Sequence, residues 1–398
     1  MNQLIAFALF LIAVSARVAD NLSLGLAPLV GTENPDAIDG RYIIKYKDSV
    51  SSSDFKADLD LHREIERIYT YETAMKGFAA TLSSDQLNEL RSNPLIDFIE
   101  QDSMRFASEC DNKQNQATWG ISRVSTGADW TGVDVYNYDK KNEGVDIDAY
   151  IIDTGIYVEN TDFRGRAKFG FKSESSWSNT DANGHGTHVA STTGGEKYGI
   201  AKDCQLIAVK VLGDNGSGTN AGVIAGVDWT ASQAMSSKKK STANMSLGGG
   251  FSSALNSAVD GAVASGVVMV VAAGNDNRNA CSYSPASATN AITVMSTTSS
   301  DVRSSFSNYG TCCDIFAPGS SITAAWIGST TATATISGTS MASPHVCGIT
   351  ALLLNEGVTV AGMKDAVTGY ATNNVVNMQC GASSACLASP NKMAYSCN

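Results

Sequence analysis

Apolar residues follow one another along this chain in three different rhythms. At the start, Met1-Asn2-Gln3 gives way to an apolar run from Leu4 to Val14, then to Ser15-Ala16-Arg17. A run of about eleven apolar residues is too short to span a bilayer, and Val14-Ser15-Ala16 carries the small side chains of a cleavage site. Residues 1–16 therefore read as a secretory signal, with the cut at the latest near residue 19. Residues 20–40 are polar and turn-rich, a linker. The second rhythm changes every few residues. Arg41–Tyr46 reads as a strand, Ser52–Tyr69 has helical spacing, and Gly77–Leu82 is a second strand. Ser84–Arg91 is a helix opened by a Ser-x-x-Gln capping box, and Leu95–Glu100 a third strand beyond Pro94. This predicts a small β-α-β-α-β unit of α+β class at about 41–103, inside a front segment 17–111. From Trp119 the third rhythm sets in. Tyr150–Asp153, Leu206–Leu212, Ala243–Leu247 and Gly266–Ala273 are short β-rich apolar runs. Helical patterns stand between them at His185–Thr193, Ala221–Met235 and Ala254–Ala264. Such alternation predicts an α/β body over 112–398: a doubly wound, three-layer parallel sheet with both faces covered. Sites in these sheets gather at the carboxyl ends of the strands.

Composition and charge narrow the possibilities. Apolar residues make up 43% and charged ones 17%, which excludes a disordered chain and a coiled coil. The net charge of −11 speaks against a nucleic-acid partner held through phosphates. That charge is uneven: residues 1–111 hold 18 acids against 10 bases, and residues 112–398 hold 21 against 18. All nine cysteines lie at or beyond Cys110. With a signal in front of them, they imply an oxidising compartment and a soluble, secreted, extracellular product without a membrane segment. Lys238-Lys239-Lys240 reads as a solvated loop.

Three short segments carry chemistry. Asp153-Thr154-Gly155 ends a strand, so a carboxylate stands at the rim of the sheet. Asn183-Gly184-His185-Gly186-Thr187-His188 brings two histidines to a helix start. Gly338-Thr339-Ser340-Met341-Ala342-Ser343-Pro344 puts a serine in the first turn of an apolar helix. A hydroxyl becomes a nucleophile when an imidazole takes its proton, and a carboxylate fixes that imidazole's tautomer. At a helix N-terminus the backbone N–H groups favour a developing oxyanion. Each segment has a plainer reading. A single Asp-Thr-Gly lacks the second copy that paired-carboxylate proteases need. His185 and His188 have no glutamate between them of the kind found in His-Glu-x-x-His metal sites. His345, inside the serine's helix, reads as structural.

Taken together, and in the order Asp, His, Ser, these segments resemble the signature of the subtilisin-like serine proteases. The resemblance runs from about Trp119 to Tyr395, nearest to the proteinase K branch. Asn215-Gly216-Ser217-Gly218, Ser246-Leu247-Gly248-Gly249-Gly250, Ala272-Ala273-Gly274-Asn275, Ser282-Tyr283-Ser284-Pro285-Ala286 and Ser305–Gly310 also match it. The front unit, from Tyr42 through Gly77-Phe78-Ala79-Ala80 to Asp102, resembles the inhibitor-type propeptide of these enzymes. The resemblance implies Ser340 as nucleophile, His185 as general base and Asp153 as its orienting carboxylate. It also implies that Asn275, with the Ser340 N–H, forms the oxyanion hole. Gly216, Ser217 and Gly218, facing Ser246, Leu247 and Gly248, would sandwich an extended substrate, since main chain pairs with main chain only at close approach. Ala272, Ala273 and Gly274 would wall the first specificity pocket. With no charge matched there, it should accept large apolar or aromatic side chains.

The same resemblance implies a structural calcium ion on Asp314 and the carbonyls of Thr289 and Ala291, with no cofactor for catalysis. It implies a Cys281–Cys312 disulfide of the kind seen in aqualysin-like relatives. Departures stand beside it. Val189 occupies the place where many fungal members carry a cysteine, and the two disulfides of proteinase K find no matching pair. Cys380, Cys386 and Cys397 would pair among themselves or with a neighbour, and Cys347 reads as a buried thiol. Asn215 starts a sequon open to a glycan. The expected product is a monomeric, broad-specificity endopeptidase acting on proteins and peptides. It would be made as a zymogen whose own propeptide inhibits it and helps it fold, with the maturation cut between about Met104 and Ala117. Two alternatives are a narrow processing protease of the same fold and an inactive binding protein. Against the first, Gly216–Asn220 and Ser246–Gly250 offer no acidic residues. Against the second, Asp153, His185, Asn275 and Ser340 are all present.

Overall fold

In the front unit, alternating apolar positions turn one face of a small sheet against two helices. The computed structural model describes residues 26–32, 37–103, 110, 112–132 and 134–397; the signal read at residues 1–16 lies outside the described residues. The chain divides into two units, Met1–Ala107 and Ser108–Asn398, so the division falls slightly before the expected residue 111. The first unit contains β1 (Leu29–Val30), β2 (Ala37–Tyr46), α1 (Ser52–Leu61), β3 (Arg67–Tyr71), β4 (Gly77–Thr81), α2 (Ser84–Arg91) and β5 (Ile96–Ser103). The strand order is β1-β5-β2-β4-β3. Ile44, Phe55, Phe78, Leu90 and Ile99 meet in its core. Ser83 and Gln86 form the capping box that starts α2. The helical spacing read across Ser52–Tyr69 breaks at Leu61, and β3 is a strand the sequence reading did not separate. Its residues are mostly exposed on the sheet edge, so they lack the alternation that marks a half-buried strand.

The second unit is built on β6 (Asp148–Asp153), β7 (Ala167–Lys172), β8 (Gln205–Lys210), β9 (Ser241–Met245), β10 (Val267–Ala272), β11 (Ile292–Thr297) and β12 (Ile315–Pro318). Two short strands, β13 (Thr372–Asn373) and β14 (Lys392–Met393), extend one edge. The order is β13-β14-β12-β11-β10-β9-β6-β8-β7, parallel except between β13 and β14. The central strands β6, β9, β10 and β11 are buried along their whole length because both faces are covered. Ala149 and Ile151 pack with Val189 and Val346, whereas Tyr150 and Ile152 pack with Val227 and Val259. The first layer is α3 (His185–Gly194) and α6 (Thr339–Asn355); the second is α4 (Asn220–Ser237) and α5 (Ser253–Ala264). α7 (Val360–Tyr370) follows α6. Chain order reverses at β6, which lies between β8 and β9. The crevice beyond the carboxyl ends of β6 and β9 is the switch point where doubly wound sheets bind ligands.

Disulfides join Cys281 to Cys312, Cys380 to Cys386, and Cys110 to Cys397. The C-terminal cysteines thus make one local pair and one bridge across 287 residues. Cys204, Cys313 and Cys347 are buried free thiols. Among the described residues no single helix is long and apolar enough to cross a membrane.

Candidate active site

β6 delivers Asp153, fully buried, to the crevice. Asp153 Oδ1 accepts the Thr154 N–H at 2.7 Å and stands 2.7 Å from His185 Nδ1. An ionised carboxylate only accepts, so Nδ1 carries the hydrogen and Nε2 is left with its lone pair. Burial works against a charged His185 and is the largest single influence on it. The Asp153 charge and hydrogen bond, with Asp181 beyond, outweigh that influence and raise its pKa above the ordinary value.

A residue absent from the sequence reading holds this pair in register. Asp181 is buried at the start of α3. Its Oδ1 accepts the N–H groups of Asn183 and Gly184 and the Thr154 hydroxyl, and its Oδ2 accepts the Thr187 N–H and hydroxyl, all within 3.0 Å. Thr154 Oγ1 in turn accepts the Gly186 N–H at 2.9 Å. One carboxylate therefore satisfies the orphan donors of a helix start and ties that start to the end of β6. Lys210, buried beside Asp153 in register, donates to the Thr154 carbonyl at 2.6 Å and to Asp214 at 3.0 Å. The sequence did contain a signal: Asp181 lies two residues before Asn183-Gly184-His185, in N-cap territory.

Ser340 opens α6. Its hydroxyl donates to the Ser246 carbonyl at 3.2 Å rather than to His185. Asn275 stands after β10, with its side-chain oxygen taken up by Thr339: the Thr339 N–H at 2.8 Å and the Thr339 hydroxyl at 2.9 Å. The Asn275 amide nitrogen is thereby aimed elsewhere. A point one bond from the Gly338 Cα, where a side chain would begin, lies 3.5 Å from the Ser340 nitrogen and 3.6 Å from Asn275 Nδ2. Two donors converge on one region beside the serine. Gly274 makes this turn possible: its φ is 101°, and a Cβ there would fall 2.4 Å from Asn308 Nδ2.

The two edge segments come together. Gly216, Ser217 and Gly218 share a cavity of about 420 Å³ with Ser246, Leu247, Gly248 and His185. Ala272, Ala273 and Gly274 line a second cavity of about 390 Å³, bounded also by Asn275 and Ser340. Ser246, Leu247 and Gly248 border both. Asp276 is on the wall of the second cavity as well, so that pocket is not free of charge as the sequence reading supposed.

The two other histidines of the body each bond a backbone carbonyl through one ring nitrogen. His188 bonds the Ile322 carbonyl at 3.0 Å and His345 the Met341 carbonyl at 2.8 Å. Burial lowers the pKa of each to about 4. Asn244 is buried in a chain of hydrogen bonds from Ser343 through Asn244 to Ser246, out of reach of a glycan, whereas Asn215 is exposed.

The positions expected to hold calcium do not fit a bare divalent ion. Lys364 Nζ donates to the Thr289 carbonyl at 3.0 Å and lies 3.3 Å from Asp314 Oδ2. An ammonium stands between two of the three expected donors. Among the described residues no group of three or more His, Cys, Asp or Glu side chains gathers to hold a metal.

A doubly wound sheet with a carboxylate–imidazole pair at its switch point and a serine at a helix start defines a serine peptidase. Family comparison agrees: residues 142–382 match the Subtilase family, and residues 41–108 match Peptidase inhibitor I9. The chain belongs to the subtilase family, and within it the peptidase domain is preceded by an inhibitor I9 propeptide domain. It is 45% identical over 377 residues to "Extracellular serine proteinase" of Thermus sp., covering 88% of this chain and 89% of that protein. It is 43% identical over 379 residues to "Alkaline serine protease ver112" of Corniculantispora psalliotae, covering 94% and 96%. A solved "cold adapted subtilisin-like serine proteinase" superposes with a TM-score of 0.64 at 45% identity, covering 71% of this chain and 99% of that one.

Proposed function

We propose that this subtilase is a secreted, monomeric, broad-specificity endopeptidase, made as a self-processing zymogen, which favours apolar or aromatic residues before the scissile bond. The observation that carries the reading is the Asp153–His185 contact at 2.7 Å, which leaves Nε2 free as a base. In this reading the Ser340 hydroxyl swings from the Ser246 carbonyl to His185 Nε2 and gives up its proton as Oγ attacks the substrate carbonyl. Asp153 stabilises the imidazolium without taking the proton. The carbonyl oxygen, now an anion, rests on the Ser340 N–H and Asn275 Nδ2. His185 then protonates the leaving amine, and water, deprotonated the same way, releases the acyl group. Gly216–Gly218 and Ser246–Gly248 hold the substrate backbone, and the small walls at Ala272–Gly274 admit the side chain. No cofactor takes part, and neither nucleic acid nor membrane is a partner.

The I9 domain inhibits its own enzyme, and the cut that frees it falls between Met104 and Cys110. Two features support that placement. Cys110 is bridged to Cys397, and Asn112–Asn115 pairs with Val135–Tyr138 within the body. N-terminal sequencing of the secreted form tests the cut. Labelling by an organofluorophosphate at Ser340 tests the nucleophile, and a chromogenic peptide series tests the preference. An unlabelled mature protein would leave the inactive binding protein as the reading.

A further inference from the structure

Lys364 sits on α7, and its ammonium reaches across to the loop before β11 and to the carboxylate that begins β12. It touches the Thr289 carbonyl at 3.0 Å and Asp314 Oδ2 at 3.3 Å. Asp314 is otherwise committed to β11: its Oδ2 accepts the Thr293 N–H at 2.8 Å, and its own N–H donates to the Thr293 carbonyl at 2.9 Å. The Asp314 side chain is 17% exposed and that of Lys364 33%. A mostly buried carboxylate needs a counter-charge, and here the chain supplies one. A divalent ion needs six or more oxygens around it. It could not use the Thr289 carbonyl and Asp314 Oδ2 together while an ammonium sits on both, because like charges at that separation repel.

We propose that Lys364 is the resident cation of the Thr289–Asp314 site, an internal replacement for a metal ion, so that this part of the body is stabilised without calcium. The ammonium does what an ion would do: it neutralises Asp314 and pins the Thr289 loop against the strand start. It differs in one respect, since a covalently attached charge cannot be removed by a chelator. Replacing the lysine with a small side chain empties the position while leaving the oxygens, and the site then becomes a weak calcium site.

The test uses the full chain carrying Ser340→Ala, which cannot digest itself, and reads calcium binding by titration calorimetry and melting with calcium chloride or EDTA. The expected result has three parts. Adding Asp314→Asn leaves the calcium stoichiometry unchanged. Adding Lys364→Ala creates one further site per chain, and calcium raises the melting temperature of that variant by about 2–4 °C, as a small gain does in a body of this size. Lys364→Arg, which keeps the charge, gains no site. If Asp314→Asn in the lysine-containing chain removes a bound calcium, the ammonium does not occupy the site and the proposal is overturned. A Lys364→Ala chain that folds with a cooperative transition yet gains no calcium overturns it as well.

Discussion

The carbonyl oxygen of Ser340 accepts the Ser246 hydroxyl at 2.7 Å, in the place where an α-helix would offer the N–H of residue 344, which is proline. Proline has no N–H, so it frees the carbonyl four residues back. That carbonyl is used: Ser246, at the end of β9, clasps the serine's main chain while its own carbonyl receives the Ser340 hydroxyl at 3.2 Å. The helix bearing the nucleophile is joined to the cleft edge through a bond that a regular helix would have spent internally.

Ser246→Ala leaves the Ser340 carbonyl without its donor and should cost about 1–3 kcal/mol. Combining it with Pro344→Ala restores the helical N–H to the same carbonyl. The double variant should be more stable than the sum of the two single changes, by about 1 kcal/mol. Urea unfolding of all four chains measures this coupling, and strict additivity would refute it.

Thr339 fixes Asn275 through two hydrogen bonds to its side-chain oxygen, so a prediction attaches to each residue. Asn275→Leu keeps the volume and removes the donor. It should lower kcat by about 10²–10³ with KM within a few-fold, because the donor helps the transition state more than the bound substrate. Thr339→Val removes a hydroxyl that donates to Asn275 Oδ1 and accepts the Gly274 N–H at 3.1 Å, and so acts through the placing of Asn275; its loss should be about tenfold, again in kcat. A loss appearing mainly in KM would show that Asn275 binds substrate rather than the oxyanion.

Titration gives two opposed contributions to stability. His188 and His345 are buried and neutral, with pKa values lowered to about 4. The unfolded chain binds more protons at those positions below its own pKa of about 6.5. Stability should therefore fall as pH drops from about 6.5 toward 4. His185, whose pKa is raised, works the other way: its contribution is full below the unfolded value and is lost as pH rises through the folded one. Two buried groups against one make net acid loss the expected result. Chemical denaturation across that window checks it, with His345→Gln, which cannot charge, as the blunted comparison. Activity needs His185 neutral, so kcat/KM should fall on the acid side. Removing the Asp181 charge by Asp181→Asn should move that limb to lower pH.

Much of the architecture was legible because it is local. Tyr150–Ile152 and Val267–Ala272 announce buried strands by unbroken apolar runs, and Ser83 with Gln86 announces α2. β3 was not legible, because an exposed edge strand has no apolar face to reveal it. Asp181 and Lys364 were missed for a different reason. Each looks like an ordinary surface charge until the fold brings Thr154, or Thr289 and Asp314, to it. The bridge from Cys110 to Cys397 is likewise a fact of tertiary structure, with no spacing to signal it.

The three free thiols should be inert. Burial raises the pKa of Cys204 and Cys347 to about 12 and that of Cys313 further still. A thiol reacts as its thiolate, and none forms at neutral pH under these conditions. Iodoacetamide on the native protein should label no cysteine. After unfolding without reductant it should label Cys204, Cys313 and Cys347 alone. Label on Cys281 or Cys312 in that second sample would refute their disulfide. Its loss should cost about 3–4 kcal/mol on the chain-entropy model.

Asp276 alters what the specificity pocket should prefer. The walls at Ala272, Ala273 and Gly274 are small and uncharged, and room without charge favours a large apolar or aromatic side chain. Asp276 brings a carboxylate to the same cavity, its Oδ2 3.8 Å from where a Gly274 side chain would start. It is exposed, so water and salt screen it, and its attraction for a basic side chain should be modest. The stem of a lysine can still pack on the apolar walls while its ammonium leans toward the carboxylate. Peptides with phenylalanine before the scissile bond should therefore remain the better substrates, with lysine tolerated. Asp276→Asn should reduce kcat/KM for the lysine peptide by up to about tenfold while leaving the phenylalanine peptide nearly unchanged. The difference should shrink in high salt. If both peptides respond alike, Asp276 shapes the turn after Asn275 and does not read the substrate.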